Sequence, residues 1–258
     1  MPNIHPTAIV SDSAKLADDV TIGAHTIIDG PVTIGAGCKI GAQAWITGKT
    51  VLGENNTVGH GTIIGSDPQA HPFDASIDTG VILGSNNLLR EYITINRATA
   101  PGTNTTVGHD NFLMIGAHLG HDVVVGDHNI IGNNALIGGH VIIGNKVVLG
   151  GGAGCHQFIH VGDYAMLAGN ATIVYDTPPY CMATREEKLA GLNTIGLRRA
   201  GFTPDERMEI KRLYRILFRS DDNRDEILAE AAKTEWSEHA AKLLAAFTNP
   251  SKRGILSH

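Results

Sequence analysis

Residues 123–150 read VVVGDHNIIGNNALIGGHVIIGNKVVLG. Val125, Ile131, Ile137, Ile143 and Leu149 fall six apart, and a glycine follows each of them. A period of six fits no α-helix, whose faces repeat every 3.6 residues. It suits very short strands joined by turns. The same step runs back through Leu119, Leu113, Val107, Pro101, Ile95 and Leu89 to Leu83, and forward through Cys155, Val161 and Leu167 to Ile173. A separate register runs from Ile4 through Val10, Leu16, Ile22, Ile28, Ile34, Ile40, Ile46, Leu52 and Val58 to Ile64. Two residues before each stop lies a mostly small position: Ala8, Ala14, Val20, Thr26, Val32, Cys38, Ala44. Positions two apart on a strand share a face, so each hexapeptide points one large and one small group inward. The following glycine is expected at a corner that needs positive φ. Stacked units of this kind make parallel strands around a continuous core, a solenoid. An all-β sandwich would instead space its strands irregularly, at roughly 8–12 residues.

Two segments interrupt the pattern. The register slips between Ile64 and Leu83, so residues 66–80 are expected to leave the solenoid as a loop. Residues 97–106 keep the register but put Pro101 at an aliphatic stop, which predicts a second loop. Residues 1–184 hold 27 of the 31 glycines, and residues 185–258 read as a C-terminal α-helical domain. Thr203-Pro204-Asp205-Glu206 is a capping box with proline at the first helical position. Ile210, Leu213, Tyr214 and Leu217 follow as one apolar stripe. Shorter helices are expected over 224–233 and 235–247.

The net charge of −6 argues against binding nucleic acid through its backbone. No apolar run is long enough to span a membrane. Cys38, Cys155 and Cys181 sit far apart without a CxxC pair, which fits a reducing cytoplasm. Charge is uneven: residues 185–219 hold 9 basic and 5 acidic groups, against 6 and 14 in residues 1–184. Such a basic block marks either a docking surface for an acidic partner or a solvated helix face.

Leu119, Ile137 and Cys155 are 18 apart, and three hexapeptides per coil, which resemblance to hexapeptide-repeat solenoids implies, would stack them. His121, His140 and His156 lie two, three and one residue beyond these stops, which places all three near one corner on successive coils, about 4.8 Å apart per layer. His118 lies one residue before the first of these stops. Imidazole is the side chain suited to general base work near neutral pH, and Asp122 beside His121 can fix its tautomer. Gly139 lies in the layer where a backbone N–H could hold an oxyanion. Three imidazoles could also hold zinc. No cysteine joins them and their offsets are loose for a tetrahedron, so no metal is expected. No phosphate loop or dinucleotide fingerprint is present, so no cofactor is expected either.

Hexapeptide repeats of this kind resemble the left-handed parallel β-helix acyl- and acetyltransferases, which implies three hexapeptides per triangular coil. Within that group, NFLMIGAHLGHD (111–122), Gly138-Gly139-His140, His156-Gln157-Phe158, Asp176-Thr177-Pro178-Pro179-Tyr180 and GLRRAGF (196–202) resemble the UDP-N-acetylglucosamine O-acyltransferase family. The resemblance implies transfer of a 3-hydroxyacyl chain from acyl carrier protein, held as a phosphopantetheine thioester, to the sugar 3-hydroxyl, the first step of lipid A biosynthesis. It implies His121 as general base, Asp122 as its support and Gly139 N–H as oxyanion donor. His118, His140, His156 and Gln157 would line the nucleotide-sugar and acyl path. Gln69 remains from a sugar-binding loop, Asn193 and Arg199 match uridine and phosphate contacts, and Gly169 matches the floor of the acyl groove. Arg198, Arg199, Arg207, Lys211, Arg212 and Arg215 become a dock for acyl carrier protein. A homotrimer with sites between subunits is implied.

The sequence departs from that family where the sugar should be held. Its usual Gln-Asp-x-Lys reads Gln69-Ala70-His71-Pro72, its His-Arg reads Asn96-Arg97, an acidic position reads Ile195, and a second arginine reads Ala200. Each loss removes a contact of roughly 1–3 kcal/mol in a desolvated site, for which His71 or Asp74 could compensate. Three functions therefore follow: the named O-acyltransferase, a paralogue acylating another nucleotide sugar at oxygen or nitrogen, and a non-catalytic solenoid. Retention of His121, Asp122, Gly139 and Gln157 favours catalysis.

Overall fold

The computed structural model describes residues 1–219 and 223–258. Among them are 28 strands, most of two residues, and four helices. The strands form three sheets of 11, 9 and 8 members, parallel throughout except for the last strand of the first. Consecutive strands go to consecutive sheets, so three hexapeptides make one coil of a left-handed parallel β-helix. The first face holds Phe112–Leu113, Ile130–Ile131 and Val148–Leu149; the second, His118–Leu119, Leu136–Ile137 and Gly154–Cys155; the third, Val124–Val125, Ile142–Ile143 and His160–Val161.

The aliphatic stops point inward as read from the sequence. Leu113, Leu119, Ile131 and Ile137 are completely buried, with the small residues Ala117 and Ala135 beside them. Each such Leu or Ile contributes about 1.5–3 kcal/mol. The first coil has no neighbour beneath it, and Ile4 stays 38% exposed.

The corner glycines differ from the sequence expectation. Gly132 and Gly138 are not left-handed, although Gly65 is; on the regular coils that conformation falls mostly three residues beyond the aliphatic stop, as at His25, Gln43, Asn55, Asn134 and His140. The glycine after the stop is needed for close approach. A Cβ on Gly132 would lie 2.6 Å from Gly151 N on the next coil, so any side chain there would force the coils apart.

Paired residues are 18 apart in regular coils, as Asn129 is from Asn111. The separation becomes 31 across the first loop and 24 across the second. Strand extends through Ser66 and resumes at Gly80, so the first loop is residues 67–79. The second is residues 97–103 rather than 97–106. Asn104, Thr105 and Thr106 pair with Gly80, Val81 and Ile82 and are held as strand. Both loops leave the edge between the second and third faces.

The edge between the third and first faces is closed by a buried amide ladder. Asn56 Oδ1 accepts from the backbone and side-chain N–H groups of Asn87, Asn87 Oδ1 from those of Asn111, and Asn111 Oδ1 from those of Asn129. Asn129 Oδ1 ends the series on Val147 N.

The solenoid does not give way to helix at 185. Leu189–Leu192 pairs antiparallel with Cys181–Ala183 and ends the first sheet. Helix α1 (Thr194–Arg199) follows, then α2 (Pro204–Arg219), α3 (Arg224–Ala231) and α4 (Glu238–Thr248). The predicted capping box forms: Glu206 Oε2 accepts from Thr203 N and Oγ1. Ile210, Leu213, Tyr214 and Leu217 are buried, as the stripe predicts. α1 is only six residues long and gave no periodic signal.

Replacing Asn111 by Ala takes the shared acceptor from the backbone and side-chain N–H groups of Asn129, and leaves Asn87 Oδ1 with one donor, the backbone N–H of residue 111. The variant should lose about 2–4 kcal/mol of stability at roughly 1–3 kcal/mol per buried unpaired group, read as a lower unfolding midpoint in urea. Asn134→Ala, on an exposed corner, should cost less. Equal midpoints for the two would show that the ladder does not hold the edge.

Candidate active site

Asp122, His140 and Phe158 occupy equivalent corner positions on three successive coils, all with positive φ. They lie on the edge from which both loops emerge. His140 and Phe158 stack with centroids 4.6 Å apart, and the His121 ring meets His140 edge-on at 5.1 Å. His121, His140 and His156 do fall on this one edge on successive coils, as expected, but the stack of rings continues through Phe158 and not through His156. His156 falls two residues earlier on its coil, is exposed, and turns Nδ1 to Gln157 O at 3.2 Å.

His121 and Asp122 form a dyad. His121 Nδ1 lies 2.8 Å from Asp122 Oδ2, and both side chains are nearly buried. Asp122 also accepts from Thr99 N at 3.1 Å and Thr99 Oγ1 at 2.6 Å, and its Oδ2 lies 3.6 Å from His140 Nε2. Burial pushes the Asp122 carboxyl up. The Thr99 hydroxyl, the His121 imidazole, the Thr99 N–H and the charge of His140 outweigh it and hold the group below its ordinary value of 3.8. The carboxylate fixes the proton on His121 Nδ1, which leaves Nε2 with its lone pair. His121 Nε2 has no hydrogen-bond partner among the described residues.

Gly139 lies beneath that ring. A Cβ there would come within 2.5 Å of His121 Cε1 and 2.7 Å of Nε2, so the glycine makes room for the imidazole itself as well as for anything approaching it. Its own N–H donates no hydrogen bond among the described residues. His118 accompanies the dyad from the second face, with Nδ1 2.7 Å from Thr94 Oγ1. Desolvation, then the nearby His121, lower its pKa from 6.5, so it is uncharged near neutrality. His121, Asp122 and His140 also place ligand atoms within 4.8 Å of one another, near enough for an ion. Asp122 spends its oxygens on Thr99 and His121, an arrangement that suits an imidazole support.

The remaining sequence-derived positions divide. Gln157 is exposed, with its Cγ 3.1 Å from the position of a Cβ on Gly138. Gln69 is exposed on the first loop. That loop is organised by Arg97, which is 9% exposed and donates to Asp67 Oδ1, Ile77 O, Thr79 Oγ1 and Ala75 O. Asn193 caps α1 through Gly196 N and donates to Tyr164 O, so its amide already has structural partners. Arg198 and Arg199 are exposed in the last turn of α1. Lys211 and Arg215 are exposed beside a cavity of about 580 Å³ with Leu192, Thr194 and Tyr214. Arg212 instead bonds Thr234 Oγ1 and lies over Trp236, and Arg207 turns back to Thr203 O. A Cβ added to Gly169 would lie 3.3 Å from Gly151 O, and the Gly169 carbonyl accepts from Arg185 Nε. Thr94, Thr99 and Phe158 escaped sequence reading because they sit one coil away from, or in a loop beside, the residues they serve.

Thr99→Val should raise the Asp122 pKa toward its ordinary value. A carboxylate whose pKa is depressed by folding stabilises the folded state above its unfolded pKa, and that contribution is lost as pH falls through the folded one. The variant should therefore unfold at higher pH in an acid titration. An unchanged acid midpoint together with an unchanged Asp122 carboxyl signal by NMR would contradict the assignment.

A family model described as UDP N-acetylglucosamine O-acyltransferase, domain 2, matches residues 176–256, and a hexapeptide-repeat bacterial transferase model matches 13–48 and 104–139. An acyl-[acyl-carrier-protein]–UDP-N-acetylglucosamine O-acyltransferase of Syntrophobacter fumaroxidans is 42% identical over 98% of this chain and 99% of its own length. One from Sulfurovum is also 42% identical, over 99% of this chain and 98% of its own. The crystal structure of the Moraxella catarrhalis UDP-N-acetylglucosamine O-acyltransferase superposes with a TM-score of 0.94 at 38% identity, covering 98% of this chain and 99% of that one. With matched length, fold and repeat, the chain belongs to the UDP-N-acetylglucosamine O-acyltransferase family.

Proposed function

We propose that this chain transfers a 3-hydroxyacyl group from acyl carrier protein to the 3-hydroxyl of UDP-N-acetylglucosamine, the opening step of lipid A biosynthesis. The observation that carries the reading is the His121–Asp122 dyad over an uncommitted Gly139 N–H, in a chain 42% identical to a named O-acyltransferase along its whole length.

The chemistry follows from that geometry. His121 Nε2 takes the proton of the sugar hydroxyl as the oxygen attacks the thioester carbonyl. The carbonyl oxygen becomes an oxyanion that accepts from Gly139 N–H. Asp122 stabilises the imidazolium. As the tetrahedral intermediate collapses, the C–S bond breaks, and the imidazolium returns its proton to the pantetheine thiolate. A positioned base contributes about 10²–10⁴-fold, and one oxyanion donor about 10²–10³-fold. His118 and His140 flank the acceptor, Gln69, His156, Gln157, Asn193 and Arg199 belong to the nucleotide-sugar path, and Gly169 leaves room at the floor of the acyl groove.

The solenoid, residues 1–184, carries the chemistry, and the region 185–258 receives the carrier protein through Arg198, Arg207, Lys211, Arg212 and Arg215. The chain works as a homotrimer in the cytoplasm. Outward-facing Trp45, Leu88, Ile130, Leu136 and Met166, each 38–57% exposed, support burial of solenoid faces against other copies. The three cysteines, all free and buried, accord with a reducing compartment. No helix among the described residues is long and apolar enough to cross a membrane. The reaction uses no cofactor beyond the phosphopantetheine thioester of its co-substrate.

Purified protein incubated with 3-hydroxyacyl carrier protein and UDP-N-acetylglucosamine should yield the 3-O-acyl product by mass spectrometry. Turnover only on another UDP sugar, such as one with a 3-amino group, would move the acceptor assignment. His121→Ala should lower kcat by at least about 10²-fold while the trimer persists in light scattering, and wild-type turnover would remove His121 from the mechanism. Gly169→Met should shorten the preferred acyl chain; an unchanged chain profile would place the groove floor elsewhere.

A further inference from the structure

Beyond the dyad, a cavity of about 670 Å³ opens on the far side of His140. It is lined by His140, Phe158, His160, Ser251, Lys252 and Arg253. The last three come from the segment after α4, which returns to the solenoid. Asp176, 5% exposed, draws that segment in. Its Oδ2 accepts from Ser251 N and its Oδ1 from His160 N, while its backbone bonds Gly254 O and Leu256 N. The carboxylate is thus turned inward on backbone donors, with His160 Nδ1 3.9 Å away.

The cations on the cavity wall are left without an anion. Lys252 and Arg253 are both exposed, and neither forms an ion pair among the described residues. Arg253 uses Nε on Gln157 O at 3.4 Å, which aims its guanidinium along the wall. Its two terminal nitrogens have no partner among the described residues. Phe158 supplies an apolar flank and stacks on His140, one ring away from the dyad. A planar guanidinium with free paired donors, a neighbouring ammonium and an imidazole together suit phosphoryl oxygens.

We infer that the cavity between Phe158, His160 and the Lys252–Arg253 segment seats a phosphoryl group of one of the two substrates. The inference rests on the acyltransferase reading, because both reactants named there carry phosphate: the nucleotide sugar as a diphosphate, the thioester as phosphopantetheine. Lys252 and Arg253 are substrate-positioning residues that act by charge, and His160 adds an imidazole hydrogen-bonding group to the rim.

The test uses full-length protein and three compounds: UDP-N-acetylglucosamine, 3-hydroxyacyl phosphopantetheine, and the same thioester lacking its phosphate. The variants are Lys252→Ala, Arg253→Ala, their double, and Lys252→Arg. The segment is anchored through backbone groups, and thermal melting checks that each variant keeps the fold. The double variant should raise KM for one phosphate-bearing substrate about ten-fold and lower kcat less than three-fold, a split that marks lost binding and not lost chemistry. Lys252→Arg should stay near wild type. If the variant loses the wild-type preference for the phosphorylated thioester, the cavity holds the pantetheine phosphate. If only the KM for UDP-N-acetylglucosamine rises, it holds the nucleotide diphosphate. If no KM moves, or if the phosphate-free thioester suffers equally, the inference is overturned. Absence of turnover in the wild type would sink the acyltransferase reading alone. Calorimetric titration with UDP-N-acetylglucosamine and phosphopantetheine then decides the cavity, where equal affinities in wild type and double variant reject it.

Discussion

Everything in this molecule depends on how closely one coil can sit on the next. Parallel strands in a sheet lie ~4.8 Å apart, and at the corners the backbone of one layer passes the backbone of another with no room for a side chain. Gly132 makes the point: a β-carbon would land 2.6 Å from the amide nitrogen of Gly151. The repeat of an aliphatic residue followed by glycine is the chemical imprint of that contact. Once it is met, each aliphatic group lies on the equivalent one below, and the core becomes a single apolar rod.

The same stacking explains the site. Residues on equivalent corners meet without any long-range search, because register alone superimposes them. Asp122, His140 and Phe158 are brought together in this way, and His121 reaches over the bare backbone of Gly139. The dyad is then trimmed from the second loop, where Thr99 supplies both a backbone and a hydroxyl donor. A rigid scaffold places the imidazole, and a loop tunes its partner.

This division also separates what was legible in the sequence from what was not. The six-residue step in 123–150 was enough for the strands and the inward residues, because those follow from periodicity; three hexapeptides per coil came from the family resemblance. The pairing of His121 with Asp122 and its place over Gly139 followed from adjacency and from counting by 18. The third member of the column did not: His156 and Phe158 differ by two residues, and only corner geometry decides which of them continues the stack. Left-handed corner residues were assigned to the wrong position for a related reason, since glycine serves close approach as well as positive φ. The role of Arg97 inside its loop, the amide partners of Asn193, the six-residue α1 and the return of the segment around Lys252 all depend on tertiary contacts with no periodic trace.

Chemistry and ladder occupy different edges of the prism. The Asn56-to-Asn129 series closes one edge with paired amides. The dyad and both loops share another, where 13 or 6 extra residues enter and the face pairing continues beyond them, with one register shift at Ser66. A family built on this frame can therefore diversify what it recognises by exchanging segments at a hinge-free seam, while the opposite seam keeps the coils counted. Selectivity and architecture are free to change at different rates within one polypeptide.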